Sequence, residues 1–143
     1  MVERAAQLAR VAHEGQTDKS GNAYATHPAR VAARVAAFGS SAQAVAWLHD
    51  VAEDTSINVA DLAQRGFPND VVEAVDAITK RPGEDLETYC QRVTANPLAL
   101  TVKRADVADN SDPARLALLD EATRTRLETK YATVRHLLDR ASV

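Results

Sequence analysis

Apolar residues recur at helical spacing along almost the whole chain, and the two-residue alternation of a half-buried strand is nearly absent. A chain patterned this way buries its apolar stripes by packing helix on helix, so an all-α bundle is expected. A first helix is read from Glu3 to Glu14, with Ala5, Leu8 and Ala12 on one side and Gly15 as its end. A polar loop follows to Thr26, with Gly21 and Asn22 as turn residues. Pro28 then suits the first position of a second helix that ends near Gly39. Ser40 with Gln43 reads as a capping box for a third helix, which carries His49 to Glu53 near its C-terminal end.

Further along, a helix from Asn58 to Arg65 stops at Gly66, and Pro68 opens another with Val71, Val75 and Ile78 at core spacing. Arg81-Pro82-Gly83 breaks it. Helices are expected from Asp85 to Ala95 and from Pro97 to Asn110, then the irregular Ser111-Asp112-Pro113. A long last helix, Asp120 to Arg140, aligns Leu127, Tyr131, Val134 and Leu138. The sum is about seven or eight helices in one domain spanning 1–143.

Composition narrows the setting. Cys90 is the only cysteine, which excludes an intrachain disulfide and a thiolate-rich zinc site and makes a reducing, cytoplasmic location the default. No apolar run approaches about 18 residues, and the N-terminus opens into a mixed polar pattern, so no membrane span or signal segment is expected. A net charge of −3 and 4% aromatic content give no broad attraction for nucleic acid and few stacking surfaces. An anionic partner must be captured locally. No residue pattern speaks to oligomeric state.

The uncharged segment Ala42 to Leu48 runs straight into His49-Asp50-Val51-Ala52-Glu53-Asp54. On a continuous helix of about 3.6 residues per turn, His49 lies beneath Glu53 and Asp50 beneath Asp54, so an imidazole and three carboxylates share one face. An isolated carboxylate out of water would sooner take a proton than stay charged, so a helix buried nearly all round calls for pairing or a metal there. A solvated acidic fringe explains any one of these residues well and the four together poorly.

His49 and Asp50 need further ligands. His27 precedes Pro28, which restrains its backbone and holds the imidazole at a helix entrance. Asp106 follows Ala99 and Val102 at i, i+3, i+7, a place where the pattern asks for an apolar side chain. Lys103 lies a turn before it and Asn110 a turn after, while Asp109 is the rival carboxylate. Two histidines with two aspartates form a ligand set suited to Mn²⁺, Fe²⁺ or Zn²⁺, ions that acidify water and neutralise phosphate charge. Glu53 and Asp54 would then move protons, and Lys19, in the loop leading to His27, could reach an anion.

The order of these parts resembles the HD-domain phosphohydrolases, specifically the (p)ppGpp hydrolase domain of the Rel/SpoT proteins and the small alarmone hydrolases of the stringent response. The resemblance runs from Ala12 to Asn110 through Ala12-His13-Glu14-Gly15-Gln16, Tyr24-Ala25-Thr26-His27-Pro28, Leu48-His49-Asp50-Val51-Ala52-Glu53-Asp54-Thr55, Ile78-Thr79-Lys80 and Val102-Lys103-Arg104-Ala105-Asp106. It implies an HD-type bundle and Mn²⁺ held by His27, His49, Asp50 and Asp106. It also implies a catalytic pair in Glu53 and Asp54, and substrate contacts from Lys19, Ser20 and Asn110. The implied reaction removes the 3′-pyrophosphate from guanosine tetra- or pentaphosphate. With no synthetase segment following, hydrolysis alone is implied.

The pattern departs from the family where the base is recognised. Asp18 stands where an arginine usually precedes the loop lysine and stacks on guanine, Val107 replaces a basic residue, and Ser111-Asp112-Pro113 replaces the usual run. Asp18→Arg is therefore expected to preserve or raise (p)ppGpp hydrolysis, or to abolish action on a different substrate whose donor Asp18 reads. Another nucleotide, a nucleotide sensor with little turnover, and a helical interaction module are the alternatives.

Overall fold

In the computed structural model, which describes residues 1–142, the chain forms ten α-helical segments and one 3-10 turn, with no strand among the described residues. These are α1 (Val2–Ala12), α2 (Thr26–Arg34), α3 (Ser40–Leu48), α4 (Val51–Asp54), α5 (Val59–Gln64), α6 (Asn69–Ile78), α7 (Leu86–Thr94), α8 (Pro97–Asn110), α9 (Pro113–Leu116) and α10 (Glu121–Ala141). Two of them, α4 and α9, are four residues long, and the eight longer ones are those the periodicity announces.

The hub is α3, which packs against α1, α2, α6 and α8. It is buried all round, as its uncharged sequence demands: Ala42, Ala44, Val45, Ala46 and Leu48 are fully buried, and Trp47 nearly so under the guanidinium of Arg10. Its alanines let neighbouring axes come close at no cost in side-chain entropy. The outer helices turn single stripes inwards: Val71, Ala74, Val75 and Ile78 on α6, Ala99 and Val102 on α8, Leu127, Val134 and Leu138 on α10. Tyr131, expected in that last stripe, is only half-buried.

Caps follow local chemistry. Asn58 and Asp61 satisfy each other's backbone N–H groups in a capping box, while Asp85, Asn96 and Asp120 each accept from an amide of the first turn that follows. The helix ending at Gln64 is closed by Gly66 at φ +85°, a conformation open to glycine. The expected Ser40–Gln43 box does not form: Gly39 is the N-cap of α3 and no side chain caps it. The second helix begins two residues earlier than Pro28 and gives way to a 3-10 turn at Ala36–Phe38.

One difference shapes the site. The helix expected to run through His49 to Glu53 is interrupted at His49 and Asp50, and α4 starts afresh at Val51. The His49 ring donates from Nδ1 to the Ala46 carbonyl at 2.6 Å, the carbonyl a continuing helix would give to the Asp50 amide. The four polar groups therefore do not lie on one uninterrupted helix.

Candidate metal centre

Two helices and one break supply the centre: His27 from the first turn of α2, Asp106 from α8, and His49 and Asp50 from the break after α3. One ligand-type atom from each of these four residues lies within 4.8 Å of the others. His27 Nε2 lies 2.8 Å from Asp106 Oδ1 and 3.8 Å from Asp50 Oδ2. His49 Nε2 lies 3.2 Å and 3.1 Å from the same two oxygens. His27, His49 and Asp106 are buried, and Asp50 is largely so.

Each ring is engaged on its other nitrogen. His49 Nδ1 faces the Ala46 carbonyl, and His27 Nδ1 faces Asp109 Oδ2 at 2.7 Å, which puts a proton on each Nδ1 and turns Nε2 towards the carboxylates. The carboxylates are supported too. The Tyr24 hydroxyl donates to Asp50 Oδ2 at 2.6 Å, Lys103 Nζ to Asp106 Oδ2 at 3.0 Å, and Asn110 Nδ2 to Asp106 Oδ1 at 3.1 Å. Two imidazole nitrogens and two carboxylate oxygens held this way fit a divalent first-row ion.

Burial opposes every charge in this cluster, and the neighbours outweigh it. For Asp106 the Lys103 ammonium and the two histidines hold the carboxyl well below the carboxylate range. Asp50 falls to about 2 under the influence of His49 and the Tyr24 hydroxyl. The carboxylates hold both histidines above their ordinary value, His49 by the larger margin.

Glu53 and Asp54 stand at the rim. Glu53 accepts the Lys80 backbone N–H at 2.9 Å, and burial followed by the charge of Asp50 pushes its carboxyl up. Asp54 lies 3.4 Å from the Tyr24 hydroxyl, and burial with the Asp50 charge raises it as well. The acids of this region thus fall into two sets, Glu53 and Asp54 with raised pKa values and Asp50 and Asp106 with lowered ones.

Lys19 and Ser20 lie exposed at the tip of the loop between α1 and α2, near Arg126 and Lys130 of α10, whose charges add to desolvation in lowering the lysine's pKa. Asn110, expected to touch substrate, is already bonded to Asp106. Asp18 has a different task from the one its sequence position suggests. Its Oδ1 accepts from the backbone of Ser20 and of Asn22, both at 2.9 Å, and its Oδ2 faces Arg115 Nη2 at 3.7 Å. It folds the loop instead of standing free beside an anion.

Sequence reasoning does not single out Tyr24, Arg30, Arg115, Arg126 or Lys130 as site residues, and it offers Asp109 only as the rival of Asp106 for the metal, not as the support behind His27. Nor does the sequence reveal the link from His13 through Gln16 to Asp54: Gln16 joins the His13 ring at 2.9 Å and donates to the Asp54 carbonyl at 3.0 Å. Arg126 and Lys130 lie four apart on one helix face, a basic pair visible in the sequence; their proximity to Lys19 is purely tertiary.

A helical bundle that brings paired histidines and aspartates from separate helices to one point is a metal-centre architecture of the HD kind. The chain belongs to the HD domain family, whose model matches residues 5–138. It is 35% identical over 150 residues to a GTP pyrophosphokinase of Streptomyces coelicolor, covering 96% of this chain and 18% of that protein. A guanosine-3′,5′-bis(diphosphate) 3′-pyrophosphohydrolase of Aquifex aeolicus is 30% identical over 119 residues, 76% of this chain and 17% of that one. The bifunctional (p)ppGpp synthase/hydrolase SpoT of Escherichia coli is 43% identical over 75 residues, 51% of this chain and 10% of its own. The chain thus spans about a fifth or less of these relatives' length. Its fold matches a solved structure described as a metazoan ortholog of SpoT that hydrolyses ppGpp, with TM-score 0.79 and 22% identity over 96% of this chain and 84% of that one. No helix among the described residues is long and apolar enough to cross a membrane.

Proposed function

We propose that this HD domain is a metal-dependent phosphohydrolase that removes the 3′-pyrophosphate from guanosine 3′,5′-bis(diphosphate) or its pentaphosphate, with Mn²⁺ held by His27, His49, Asp50 and Asp106. The observation that carries the reading is the convergence of those four side chains, each fixed from behind, beside two rim carboxylates. The hydrolase names of the Aquifex and Escherichia relatives support the substrate.

A bound divalent ion supplies Lewis acidity and offsets phosphate charge. The chain's own groups do the rest. Glu53, held by the Lys80 amide, and Asp54, beside the Tyr24 hydroxyl, accept the proton of the attacking water and return one to the departing 3′-oxygen. The phosphorus–oxygen bond to the ribose breaks, pyrophosphate leaves, and the guanosine keeps its 5′-phosphates. Lys19, with Arg126 and Lys130 beyond it, meets the phosphates; Ser20 and Asn110 line the approach.

The test incubates the protein with ppGpp and Mn²⁺, reading pyrophosphate, orthophosphate and GDP separately, with EDTA as control. Pyrophosphate and GDP in equal amounts, abolished by EDTA, is the expected result. Asp18 favours a second reading, because its engagement within the loop leaves no guanidinium there to stack on guanine. A protein inert towards ppGpp yet releasing phosphate or pyrophosphate from another nucleotide would establish that alternative.

A further inference from the structure

Asp109 has no part in the chemistry proposed above, yet it is only 1% exposed and surrounded by donors. Its Oδ2 lies 2.7 Å from His27 Nδ1. Arg30 Nε reaches both of its oxygens, at 3.0 and 3.1 Å. Arg34 Nε lies 3.8 Å from Oδ1 and Arg115 Nε 3.9 Å from Oδ2. A carboxylate this deep stays ionised only where cations and N–H groups surround it. Here they come from α2, on which His27, Arg30 and Arg34 stand, and from Arg115 on α9.

The geometry is directional. Asp109 sits behind the His27 ring, on the nitrogen opposite the one that faces Asp106 and Asp50. An imidazole with its proton fixed on one nitrogen offers a lone pair only from the other, and a carboxylate behind the ring makes that lone pair more basic. Arg30 grips the same carboxylate one helical turn along from His27, so the ring and its support share one rigid element.

We propose that Asp109, held by Arg30, is a positioning residue for His27: it fixes the ring's plane and its Nδ1 proton, and so sets how tightly the centre holds its cation. The inference rests on the metal-centre reading, and its test separates the two. Asp109→Asn keeps the shape and one acceptor oxygen while removing the charge. Mn²⁺ titrated calorimetrically into the metal-free protein should bind it about 10–100-fold more weakly than wild type. Arg30→Gln should weaken binding by a smaller factor. In protein loaded with diamagnetic Zn²⁺, ¹⁵N spectra of labelled histidine should show His27 protonated at Nδ1, its proton exchanging faster in Asp109→Asn.

His27→Ala is the reference. If it leaves Mn²⁺ affinity untouched, the metal-centre reading itself fails. If His27→Ala abolishes binding while Asp109→Asn, folded by circular dichroism, binds Mn²⁺ as wild type does, the positioning role is overturned. Should Asp109→Asn not fold, two measurements decide: a Zn²⁺-loaded wild type with no proton on His27 Nδ1, or wild-type affinity in Arg30→Gln, overturns the proposal.

Discussion

His27 Nε2 lies 2.8 Å from Asp106 Oδ1, although 79 positions separate the two in sequence. The contact exists because α2 and α8 pack together and both pack on α3, whose end delivers His49 and Asp50 to the same point. Chemistry here depends on helix packing, and substitutions that leave the packing intact can take the centre apart one contact at a time.

Tyr24→Phe removes only the hydroxyl that donates to Asp50 Oδ2 at 2.6 Å. The fold should survive, because the ring is half-buried and keeps its place 4.9 Å from His13. Mn²⁺ affinity should fall about tenfold, the scale for losing a hydrogen bond behind a metal ligand. Unchanged Mn²⁺ affinity would show that Asp50 needs no such hold.

Glu53→Gln and Asp54→Asn should keep the metal and lose turnover by about 10²–10⁴-fold, the usual range for a proton-transfer group. His49→Ala and Asp50→Ala should lose the metal itself. Metal content and hydrolysis rate must be measured on all four variants. Equal metal loss throughout would place the rim carboxylates among the ligands.

The pH dependence has a definite sign. Both histidines have folded-state pKa values above the ordinary value of about 6.5. In metal-free protein their ion pairs give stability that is fully present below about pH 6.5 and lost as pH rises through the raised values. Mn²⁺ must displace those protons, so its affinity rises across the same interval. The gain in Tm at a fixed Mn²⁺ concentration should grow as pH rises above about 6.5, and EDTA should remove it. A gain that is flat or falls with pH would mean that the rings hold no extra protons.

Lys103→Met should destabilise the metal-free protein by about 3 kcal/mol, since it strips a buried carboxylate of the ammonium 3.0 Å away. Urea titration reads the loss. Mn²⁺ should restore part of it, and a loss unaffected by Mn²⁺ would place the role of Lys103 elsewhere.

Asp18→Arg should not repair guanine recognition, because it removes two hydrogen bonds of 2.9 Å that shape the loop carrying Lys19 and Ser20. KM should rise for any phosphorylated substrate, and amides of the loop should exchange faster with solvent. A lowered KM for ppGpp with the loop still protected would mean that the position is open to a base-stacking arginine.

The sequence made α8 legible to the residue, because Pro97 marks its start and an aspartate at a core position stands out against Ala99 and Val102. It also made the buried character of α3 plain. The break at His49 was not legible, since helix propensity says nothing of an imidazole competing for a backbone carbonyl. Nor was the place of Asp109 behind His27, or of Arg126 and Lys130 near Lys19. Those contacts arise between elements, and a periodicity argument sees one element at a time. Asp18 misled for the same reason, its partners being backbone amides that its position in a motif does not reveal.

The crowding around α3 decides which changes this protein can tolerate as its sequence drifts. The side chains of Ala42, Ala44 and Ala46 carry no chemistry, and only the Ala46 backbone carbonyl meets the centre, yet each is fully enclosed one to two turns before His49. A larger side chain at any of them costs about 1–3 kcal/mol of overpacking and shifts the helix end that carries the imidazole. Misplacement of about 1 Å is enough to cost two orders of magnitude in rate. Variation in the chain should therefore be least tolerated at some of its chemically plainest residues.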